Sequence, residues 1–337
     1  MKKLLFAAII IISVPLFAGE RNWEVYFTTP GRTAEGHNTP GEALARAIRS
    51  STRSFHGAFY DISSMKIADE LIAAHGRGVE VKLVTDTDTY SGEVIDRIVD
   101  SGIPVVTDES SGLMHNKFAI IDGCSVYTGS TNATDNCTSK NNNNSILVRS
   151  EELAGIYEQE FEEMFEQRIF GNRKENGAFT SLSKKYYARV DDININAYFS
   201  PEDNIERIIS KRIKKAKRSI RFMAFSFTSD SLGELMIDKF REGVSVEGIF
   251  EKRGSGSEYS EFTKMFIEGV PVARDSNPHV MHHKVIIIDD SVVITGSYNF
   301  SKNAGTRNDE NVLIIESGEI TSAYTEEFRR LYHGGAK

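Results

Sequence analysis

Two stretches of the sequence carry the same polar residues at the same spacing. Each has His-x-Lys, an Asp five residues after the lysine, and a Gly-Ser-x-Asn group that begins seven residues after the Asp. The two sets are His115, Lys117, Asp122, Gly129, Ser130 and Asn132, and His282, Lys284, Asp289, Gly296, Ser297 and Asn299. Burying polar side chains in apolar strands is costly without partners, so two identical sets indicate a function and not drift after duplication.

The spacing predicts that each set converges on one point. Side chains at i and i+2 of a strand share a face, so the His and the Lys project together. A turn at Gly123 or Asp290 then returns the chain and places Gly-Ser-x-Asn beside His-x-Lys. A phosphate fits such a set, since lysine and amide donors bind its oxygens and a histidine attacks phosphorus or moves a proton. The predicted phosphate-binding residues are Lys117, Ser130, Asn132, Lys284, Ser297 and Asn299, and the predicted reacting residues are His115 and His282.

Both sets belong to a longer internal repeat. Met114–Asn132 matches Met281–Asn299 at an offset of 167 residues. Shorter matches are Tyr26-Phe27 with Tyr198-Phe199, and Ala58–Asp61 with Ala224–Phe227. A repeat of this length is a domain and not a solenoid unit. We therefore predict a first domain over residues 19–170, a linker over 171–192 and a second domain over 193–337.

Helical and strand patterns alternate within each copy. Asn204–Lys217 has an apolar stripe at Ile205, Ile209, Ile213 and Ala216, which predicts an amphipathic helix. The patterns that follow predict a strand over Ile220–Phe227, a helix over Leu232–Arg241 and a strand over Val244–Phe250. Lys117–Asp122 and Val285–Asp289 are apolar runs typical of strands covered on both faces. The fold class is therefore α/β.

The two sets resemble the HKD motifs of the phospholipase D superfamily, and the resemblance covers most of residues 24–335. It implies two tandem phospholipase D-like α/β/α sandwich domains with pseudo-two-fold symmetry and one shared active site. One histidine would form a covalent phosphohistidine while the other protonates the leaving oxygen, without a metal or other cofactor. Both sets lie on one chain, so the active site needs no oligomer.

The two halves differ 28 residues beyond each histidine, where the first has Asn143 and the second Glu310. The resemblance implies that a carboxylate here bonds the histidine of the opposite half. We expect Glu310 to orient His115 and to stabilise its protonated form, which makes His115 the nucleophile and His282 the general acid. Asp122 and Asp289 fall at the far strand ends, so structural roles are expected for them. His283, which has Asn116 as its counterpart, is expected to be a support or surface residue.

The substrate class is left open by the motifs. The resemblance implies a phosphodiesterase, and we expect hydrolysis of phospholipid head-group bonds, with phosphatidyl transfer to alcohols as a further expectation. The alternative is a metal-independent, nonspecific DNA or RNA endonuclease. A binding module without turnover is disfavoured by the intact polar sets. A basic strip between Lys211 and Arg221 could contact phosphates, although a solvated helix face explains it better.

The N-terminus predicts export. Met1–Ala18 has Lys2 and Lys3, an apolar run and a Pro-containing end, as a secretory signal peptide does. The run is shorter than the ~20 residues of a spanning helix, so an uncleaved anchor is the weaker alternative. We expect a periplasmic or secreted protein, and a membrane surface is among the expected partners. In that compartment Cys124 and Cys137 could form a disulfide or remain separate thiols.

The net charge of the chain excludes a protein with an overall positive field. The 337 residues carry 40 Lys and Arg against 48 Asp and Glu, a formal net charge of −8. No overall positive field therefore draws the chain to nucleic acid or anionic lipid. The acidic excess is confined to the first half, with 15 basic and 25 acidic residues in Gly19–Thr180, whereas Ser181–Lys337 has 23 of each. Any anion-binding surface must therefore be local.

Overall fold

The computed structural model describes residues 21–30, 38–176 and 186–334. The predicted signal segment, Met1–Ala18, and residues 177–185 of the predicted linker lie outside these described residues. Within the described ranges, no helix is both long enough and apolar enough to cross a membrane. We refer to residues 21–170 as the first half and to residues 186–334 as the second half.

The first half contains one sheet and five α-helices among its described residues. Its strands are β1 (Trp23–Phe27), β2 (Ser54–Phe59), β3 (Glu80–Thr85), β4 (Val105–Thr107), β5 (Lys117–Ile121), β6 (Ser125–Gly129) and β7 (Asn144–Arg149). Its helices are α1 (Pro40–Ser50), α2 (Met65–Gly76), α3 (Glu93–Asp100), α4 (Asp135–Ser139) and α5 (Glu151–Phe165). A short 3-10 segment, Gly171–Asn176, follows α5.

The second half repeats this arrangement with one additional strand. Its strands are β8 (Tyr187–Val190), β9 (Ile193–Ser200), β10 (Ser219–Ala224), β11 (Ser245–Phe250), β12 (Val272–Arg274), β13 (Lys284–Ile288), β14 (Val292–Gly296) and β15 (Glu310–Glu316). Its helices are α6 (Ile205–Lys214), α7 (Asp230–Arg241), α8 (Glu261–Ile267), α9 (Lys302–Thr306) and α10 (Gly318–Gly334). The additional strand, β8, lies within the predicted linker and pairs with β9.

The strand orders confirm the α/β class and the duplication. The first sheet runs β1-β7-β6-β5-β2-β3-β4, and the second runs β8-β9-β15-β14-β13-β10-β11-β12. Without β8 the two orders are equivalent, strand for strand. Phe27 lies opposite Asn144 and Phe199 lies opposite Asn311, as the Tyr-Phe match predicts.

The strand register corrects one predicted match. Lys117 lies opposite Phe59 and Lys284 lies opposite Ala224, so Phe59 and not Ala58 corresponds to Ala224. The predicted match is shifted by one residue because both segments contain Ala-Phe, which aligns the apolar residues in the wrong register. The aromatic residues that correspond are therefore Tyr60 and Phe225.

Each sheet is covered on both faces, which explains the continuous apolar runs of β5 and β13. A central core joins the two sheets and includes side chains from α5 and α10, among them Tyr157 and Tyr324. Separate outer cores pack α1, α2 and α3 on the first sheet and α6, α7 and α8 on the second. The halves are thus joined by buried apolar surface, which is the main stabilising term in folding.

Helix α6 has the predicted apolar stripe but ends earlier than predicted. Asn204 caps it by accepting a hydrogen bond from the Arg207 N–H, and the three isoleucines of the stripe, Ile205, Ile209 and Ile213, are fully buried. The prediction extended the helix to Lys217. It ends at Lys214 because the backbone N–H groups of Lys217 and Arg218 donate to the Asp289 carboxylate instead of to helix carbonyls.

Candidate active site between the two sheets

Each polar set is built on an antiparallel hairpin at the centre of its sheet. β5 pairs with β6 and β13 pairs with β14, which returns Gly-Ser-x-Asn beside His-x-Lys as predicted. The glycine that ends β6 or β14 is required by close packing. A Cβ on Gly129 would lie 2.3 Å from the Asn144 carbonyl oxygen, and one on Gly296 would lie 2.2 Å from that of Asn311.

The two hairpins meet because the backbone at each histidine pairs with the opposite half. The His115 N–H donates to the Asp309 carbonyl at 2.9 Å, and the His282 N–H donates to the Asn142 carbonyl at 2.8 Å. These contacts place the residue that follows, Glu310 or Asn143, beside the histidine of the other half. The structure thereby brings both sets into one site.

The Nδ1 atom of each histidine meets an acceptor from the opposite half. His115 Nδ1 lies 2.7 Å from Glu310 Oε2. His282 Nδ1 lies 3.0 Å from both the Asn143 side-chain oxygen and the Ser130 carbonyl oxygen. Because the groups facing His282 Nδ1 are acceptors, that nitrogen carries the proton in the neutral ring. The Nε2 atom of a neutral ring then has the lone pair, and neither Nε2 hydrogen-bonds to another described residue.

The two lysines are buried beside the histidines. Lys117 Nζ donates to the His115 carbonyl at 2.8 Å, and Lys284 Nζ donates to the His282 carbonyl at 2.9 Å. Each ammonium also lies over an aromatic ring, with Lys117 Nζ 5.3 Å from the centroid of Tyr60 and Lys284 Nζ 4.6 Å from that of Phe225. Burial lowers the pKa of Lys117 to about 8, and burial and Lys117 together place the pKa of Lys284 well below its usual range.

The asparagines complete the set of donors. The side-chain oxygens of Asn132 and Asn299 are buried and accept no hydrogen bond within the described ranges. Their amide groups likewise make no hydrogen bond to another described residue. A phosphate oxygen, which can only accept, would be matched by these Nδ2–H donors together with the lysine ammoniums.

The serines occupy a different place from the one predicted. Ser130 Oγ is fully buried and donates to Asn143 Oδ1 at 2.8 Å, and Ser297 Oγ is fully buried and donates to Glu310 Oε2 at 2.7 Å. Each hydroxyl is therefore engaged with the residue that holds the opposite histidine. This departs from the prediction that they bind phosphate, because Ser130 and Ser297 follow the ends of β6 and β14, where strand alternation no longer fixes which way a side chain points.

Burial decides the charge state of the histidines. The pKa of His115 lies well below its usual value because of burial and the ammoniums of Lys117 and Lys284. Burial also raises the pKa of Glu310 to about 8, against the opposing effect of Lys117 and of its hydrogen bonds. Desolvation and two cations thus set the net direction of the His115 pKa, while Glu310 lies at hydrogen-bond distance from Nδ1, where it could balance a charge that develops on the ring. A neutral His115 still presents the lone pair that a nucleophile needs.

His282 is subject to the same effects. Burial, Lys284, Lys117 and His115 lower its pKa well below the usual value, in that order of importance, and the Ser130 carbonyl opposes them weakly. The influence of Lys117 on His282 and of Lys284 on His115 shows that the two sets share one electrostatic environment. An anion bound among these groups would offset the lysine charges and so raise the pKa of His282.

Asp122 and Asp289 lie away from this site, as expected for structural residues. Asp122 accepts from the backbone N–H groups of Thr52, Arg53 and Ser54 at 2.7–3.0 Å. Asp289 accepts in the same way from Lys217, Arg218 and Ser219 at 2.7–3.2 Å. Each carboxylate thus fixes the start of the neighbouring strand, β2 or β10, and these bonds hold its pKa below the usual value despite partial burial.

A layer of supporting polar residues was not predicted. Asn311 links the halves by donating to the Asn116 side chain at 3.0 Å while it accepts from Thr128 Oγ1 at 2.7 Å. Asn144 makes the corresponding contacts with His283 and Thr295 at 2.8 Å. His283 is fully buried and also bonds Glu327, so it is a support and not a surface residue. The offset of 167, which relates all these pairs, was the signal that could have identified them.

Two acids that precede the histidines were also missed. Asp86 accepts from the Met114 N–H at 2.8 Å, and Glu251 accepts from the Met281 N–H at 3.2 Å. Each one follows a strand, β3 or β11, and holds the backbone immediately before His115 or His282. Desolvation raises the pKa of Asp86 to about 6.

The cation already present among the buried acids is a lysine. Glu160, Glu163 and Glu202 lie close enough together to suggest a metal site among the described residues. However, the fully buried ammonium of Lys174 pairs with Glu160 and lies 2.9 Å from Asp309, and its pKa is raised by Asp309, Glu160, Glu202 and Glu163 despite burial. The protein thus supplies its own positive charge there.

The basic strip lies far from the histidines. Three of its arginines are engaged, Arg212 with Glu316, Arg218 with the Asp289 carbonyl and Arg221 with Glu247 and Asp290. The lysines of the strip are exposed. The strip lies next to Asp289, which is five residues from Lys284 along β13, or about 16 Å at ~3.3 Å per residue. A phosphate chain on this strip would therefore not lie in the site.

Both cysteines are free thiols, and Cys137 is buried.

Comparison with known proteins agrees with this geometry. The family described as "Cardiolipin synthase, PLD-like domain" matches the chain twice, over residues 44–165 and 209–332. A phospholipase D of Rickettsia conorii is 30% identical over 153 residues, which are 45% of this chain and 76% of that protein. A mitochondrial cardiolipin hydrolase of Xenopus tropicalis is 36% identical over 117 residues, 34% of this chain and 56% of that protein.

One solved structure covers most of both chains. The phosphatidylserine synthase of Haemophilus influenzae superposes with a TM-score of 0.64 over 86% of this chain and 83% of that one, at 13% identity. That likeness concerns the fold alone, whereas the two family matches cover most of the sequence. The chain therefore belongs to the phospholipase D superfamily of phosphodiesterases, with two PLD-like domains in tandem.

Proposed function

We propose that this protein is a phosphodiesterase that hydrolyses phospholipid head-group bonds through a covalent phosphohistidine on His115. The observation that carries the proposal is the pairing at the two Nδ1 atoms. His115 meets Glu310 and His282 meets Asn143, each from the opposite half, so both Nε2 atoms remain for the substrate. A phosphorus atom between the two rings would have a nucleophile on one side and a proton donor on the other.

The first step forms the covalent intermediate. The phosphate oxygens bind Lys117, Lys284, Asn132 and Asn299, and the His115 Nε2 lone pair attacks phosphorus. The bond from phosphorus to the leaving oxygen breaks as the protonated Nε2 of His282 gives its proton to that oxygen. Positive charge that develops on His115 favours the ionised form of Glu310, whose pKa burial raises to about 8 in the free protein. Glu310 can therefore balance that charge as Asn143 cannot, which is why we assign the nucleophile to His115 and not to His282.

The second step releases the product. Neutral His282 takes a proton from a water molecule, whose oxygen attacks phosphorus as the bond to His115 Nε2 breaks. His115 returns to its neutral form and His282 to its protonated form. An alcohol in place of water would give phosphatidyl transfer by the same route, with its hydroxyl proton going to His282.

Two observations support a phospholipid substrate over nucleic acid. The relatives at 30% and 36% identity are named phospholipase D and cardiolipin hydrolase. The basic strip, the feature that could follow a nucleic-acid backbone, lies at the opposite end of β13 from Lys284. Export, predicted from Met1–Ala18, would place the enzyme near lipid and remains part of the proposal.

The test compares two substrates on one preparation. The mature protein, with EDTA present, should release head groups from phosphatidylcholine, phosphatidylethanolamine or phosphatidylglycerol vesicles, and the His115→Ala variant should not. Single-stranded DNA and RNA should be cleaved slowly or not at all. Turnover of oligonucleotides alone, with steep inhibition by salt, would replace the proposal by the endonuclease. Loss of all turnover in EDTA would contradict the metal-free mechanism.

A further inference from the structure

Three large apolar side chains of the second half are exposed within nine residues. Tyr259, Phe266 and Ile267 are 71%, 64% and 75% exposed, whereas the other exposed large apolar residues in the described ranges reach at most 44%. Single exposed apolar residues are common on protein surfaces, but a local concentration of them indicates a contact surface. We call the segment from Tyr259 to Ile267 the apolar tip.

The apolar tip is held by a packed base. Helix α8 is capped by Ser260, and its Met265 is fully buried in the outer core of the second sheet. Phe262, which is half-buried, packs against Phe250 at 5.4 Å between ring centroids. The exposed side chains are therefore presented by an anchored helix.

Aromatic contacts connect the apolar tip to the histidine site. Phe266 stacks on Phe262 at 6.1 Å, and Phe250 stacks on Phe227 at 5.8 Å. Phe225, Phe227, Phe250 and Val280 line a cavity of about 330 Å³, a size within the range of small-ligand sites. The ring of Phe225 lies 4.7 Å from that of His282. A chain of packed aromatic rings thus connects the apolar tip with the cavity and with the predicted general acid. The rest of the cavity wall is more polar and includes Glu251 and Arg253.

The charges around the apolar tip favour an anionic surface. Lys252, Arg253 and Arg274 are exposed, and Arg253 lines the cavity. The Arg274 guanidinium lies 4.2 Å from the Phe262 ring centroid, which keeps its charge beside the tip. Of the neighbouring exposed acids, Glu268 is paired with Arg241, and Glu258 beside Tyr259 leaves the three cations in excess. Exposed cations beside apolar side chains match the head groups and acyl chains of an anionic phospholipid surface.

At the equivalent place the first half has a smaller apolar surface, where Tyr90, just before α3, is 39% exposed. The constant offset of 167 relates Phe266 to Val99 and Ile267 to Asp100, so the corresponding helix, α3, ends with a charge where α8 has an exposed isoleucine. Val99 is 40% exposed. Tyr60 lies beside His115 where Phe225 lies beside His282. The larger apolar surface therefore lies on the His282 side.

We propose that the apolar tip docks on a phospholipid surface and that the Phe225–Phe250 cavity receives the apolar part of the lipid beside His282. This rests on the proposed function and adds the surface by which the enzyme reaches its substrate. The docked lipid would enter the site from the second half without leaving the interface entirely.

The test is vesicle sedimentation with a double variant, Phe266→Ser with Ile267→Ser, on phosphatidylcholine vesicles containing phosphatidylglycerol. We expect at least tenfold weaker binding and a similar fall in vesicle hydrolysis. Hydrolysis of a short-chain phospholipid below its micelle concentration should stay within twofold of wild type, because the site is untouched. Val99→Ser, the equivalent position of the first half, is the matched control and should bind as wild type does.

Chain length tests the cavity separately. The kcat/KM for monomeric phospholipids should rise as the acyl chains lengthen from four to eight carbons, and a flat series would overturn the cavity assignment. Vesicle binding by the double variant equal to that of wild type would overturn docking and leave the proposed function standing. If the double variant lost oligonucleotide binding and kept vesicle binding, the apolar tip would be a nucleic-acid contact and the docking proposal would be wrong. A wild-type protein that cleaves no phospholipid would contradict the proposed function, whereas sedimentation still decides docking.

Discussion

The two histidines of the site differ in the acceptor that each meets at Nδ1. Glu310 can carry a charge and Asn143 cannot, and this is the one polar difference between the two sets of reacting groups. The carboxylate stabilises a cationic or phosphorylated ring more than an amide does. The proposed division of roles between His115 and His282 rests on this single substitution between the repeats.

Glu310→Gln should keep the hydrogen-bond acceptor but remove the ability of the side chain to ionise as charge develops on His115. We expect kcat to fall by roughly 10²–10⁴, the usual contribution of positioned acid–base groups, with little change in thermal stability. The kinetics of vesicle hydrolysis measure this. Glu316→Gln, at the opposite end of β15, is the control and should behave as wild type does. Equal rates for the two variants would mean that Glu310 has no part in the reaction.

The pH profile should be displaced to the acid side. His115 must be neutral to attack, and its lowered pKa keeps it neutral well below pH 6.5. His282 must be protonated in the free enzyme, and its lowered pKa means that this form is lost as the pH rises through a value also below 6.5. The kcat/KM for a phospholipid should therefore have its maximum below pH 6.5.

A p-nitrophenyl diester distinguishes the contribution of His282 to the pH profile from that of the lysines. Its leaving group needs no proton, so the fall of kcat/KM with rising pH that is due to His282 should disappear with this substrate. A fall that remains would come from the lysines. Asn143→Asp should raise the pKa of His282 and move the phospholipid profile to higher pH. A phospholipid profile that rises between pH 6.5 and 8 would contradict the assignment.

At the scale of secondary-structure elements, Asp122 and Asp289 fix the strands that carry the site. Each accepts three backbone hydrogen bonds at the start of a neighbouring strand. Asp122→Ala or Asp289→Ala should lower the free energy of unfolding by about 1–3 kcal/mol, the cost of unsatisfied partners. Urea unfolding at pH 7 measures this, with Asp192→Ala, a fully exposed residue, as control.

The decrease in the free energy of unfolding of the Asp122 and Asp289 variants should depend on pH. Their pKa values are lowered in the folded state, so their stabilisation is present above the unfolded value, about 3.9, and disappears as the pH falls through the folded value. The variants and wild type should therefore approach each other in stability below pH 4. A constant difference between pH 7 and pH 3 would mean that the carboxylate charge does not stabilise the strand ends.

The sequence predicts the elements well where periodicity is strong. The isoleucine stripe of α6 and the apolar runs of β5 and β13 are buried because their patterns have only one consistent packing. The spacing of 28 residues from His282 also identifies Glu310 as the residue that meets His115, because the hairpins of the two halves have equal length. Orientation after a strand end is not encoded in this way, which is why Ser130 and Ser297 support the site instead of facing it.

Features that depend on tertiary burial could not be predicted from the sequence. The lowered pKa of His115 needs the second lysine and full burial, neither of which follows from His-x-Lys alone. Helix α8 has seven residues, too few for a period to show which of them stay exposed. The apolar tip could therefore be recognised only once its exposure was known.

At the scale of the whole molecule, Lys174 joins the two halves. It follows α5, and its buried ammonium pairs with Glu160 of the first half and Asp309 of the second. Asp309 also receives the His115 N–H on its carbonyl. The ion cluster thus links the joining segment to Asp309, the residue before β15 that holds the backbone of the proposed nucleophile, His115.

Lys174→Met should destabilise the fold by about 3–5 kcal/mol, because it removes the buried ammonium that pairs with Glu160 and Asp309. Lys66→Met, which removes an exposed ion-paired lysine, should cost about 1 kcal/mol or less. Thermal and urea unfolding compare the two variants at pH 7. Equal losses would mean that the buried cluster contributes no more than a surface ion pair.

The Lys174→Met deficit should shrink on acidification. Burial already raises the pKa of Asp309 to about 6 with the lysine in place, and losing the cation raises it further. A carboxyl with a raised folded pKa destabilises the fold as the pH rises through that value, and this cost is absent below the unfolded pKa. The deficit at pH 5 should therefore be smaller than at pH 7, and an unchanged deficit would contradict a charge-based cause.

The most direct test of the central claim is to trap the covalent intermediate with bis(p-nitrophenyl) phosphate. The His282→Ala variant should form the adduct, since p-nitrophenolate leaves without a proton, and should hydrolyse it slowly because no base activates water. Mass spectrometry of the acid-sensitive adduct, handled at alkaline pH, should place it on the His115 peptide, and His115→Ala should form none. An adduct on His282 in the His115→Ala variant would contradict the account and reverse the roles of the two halves.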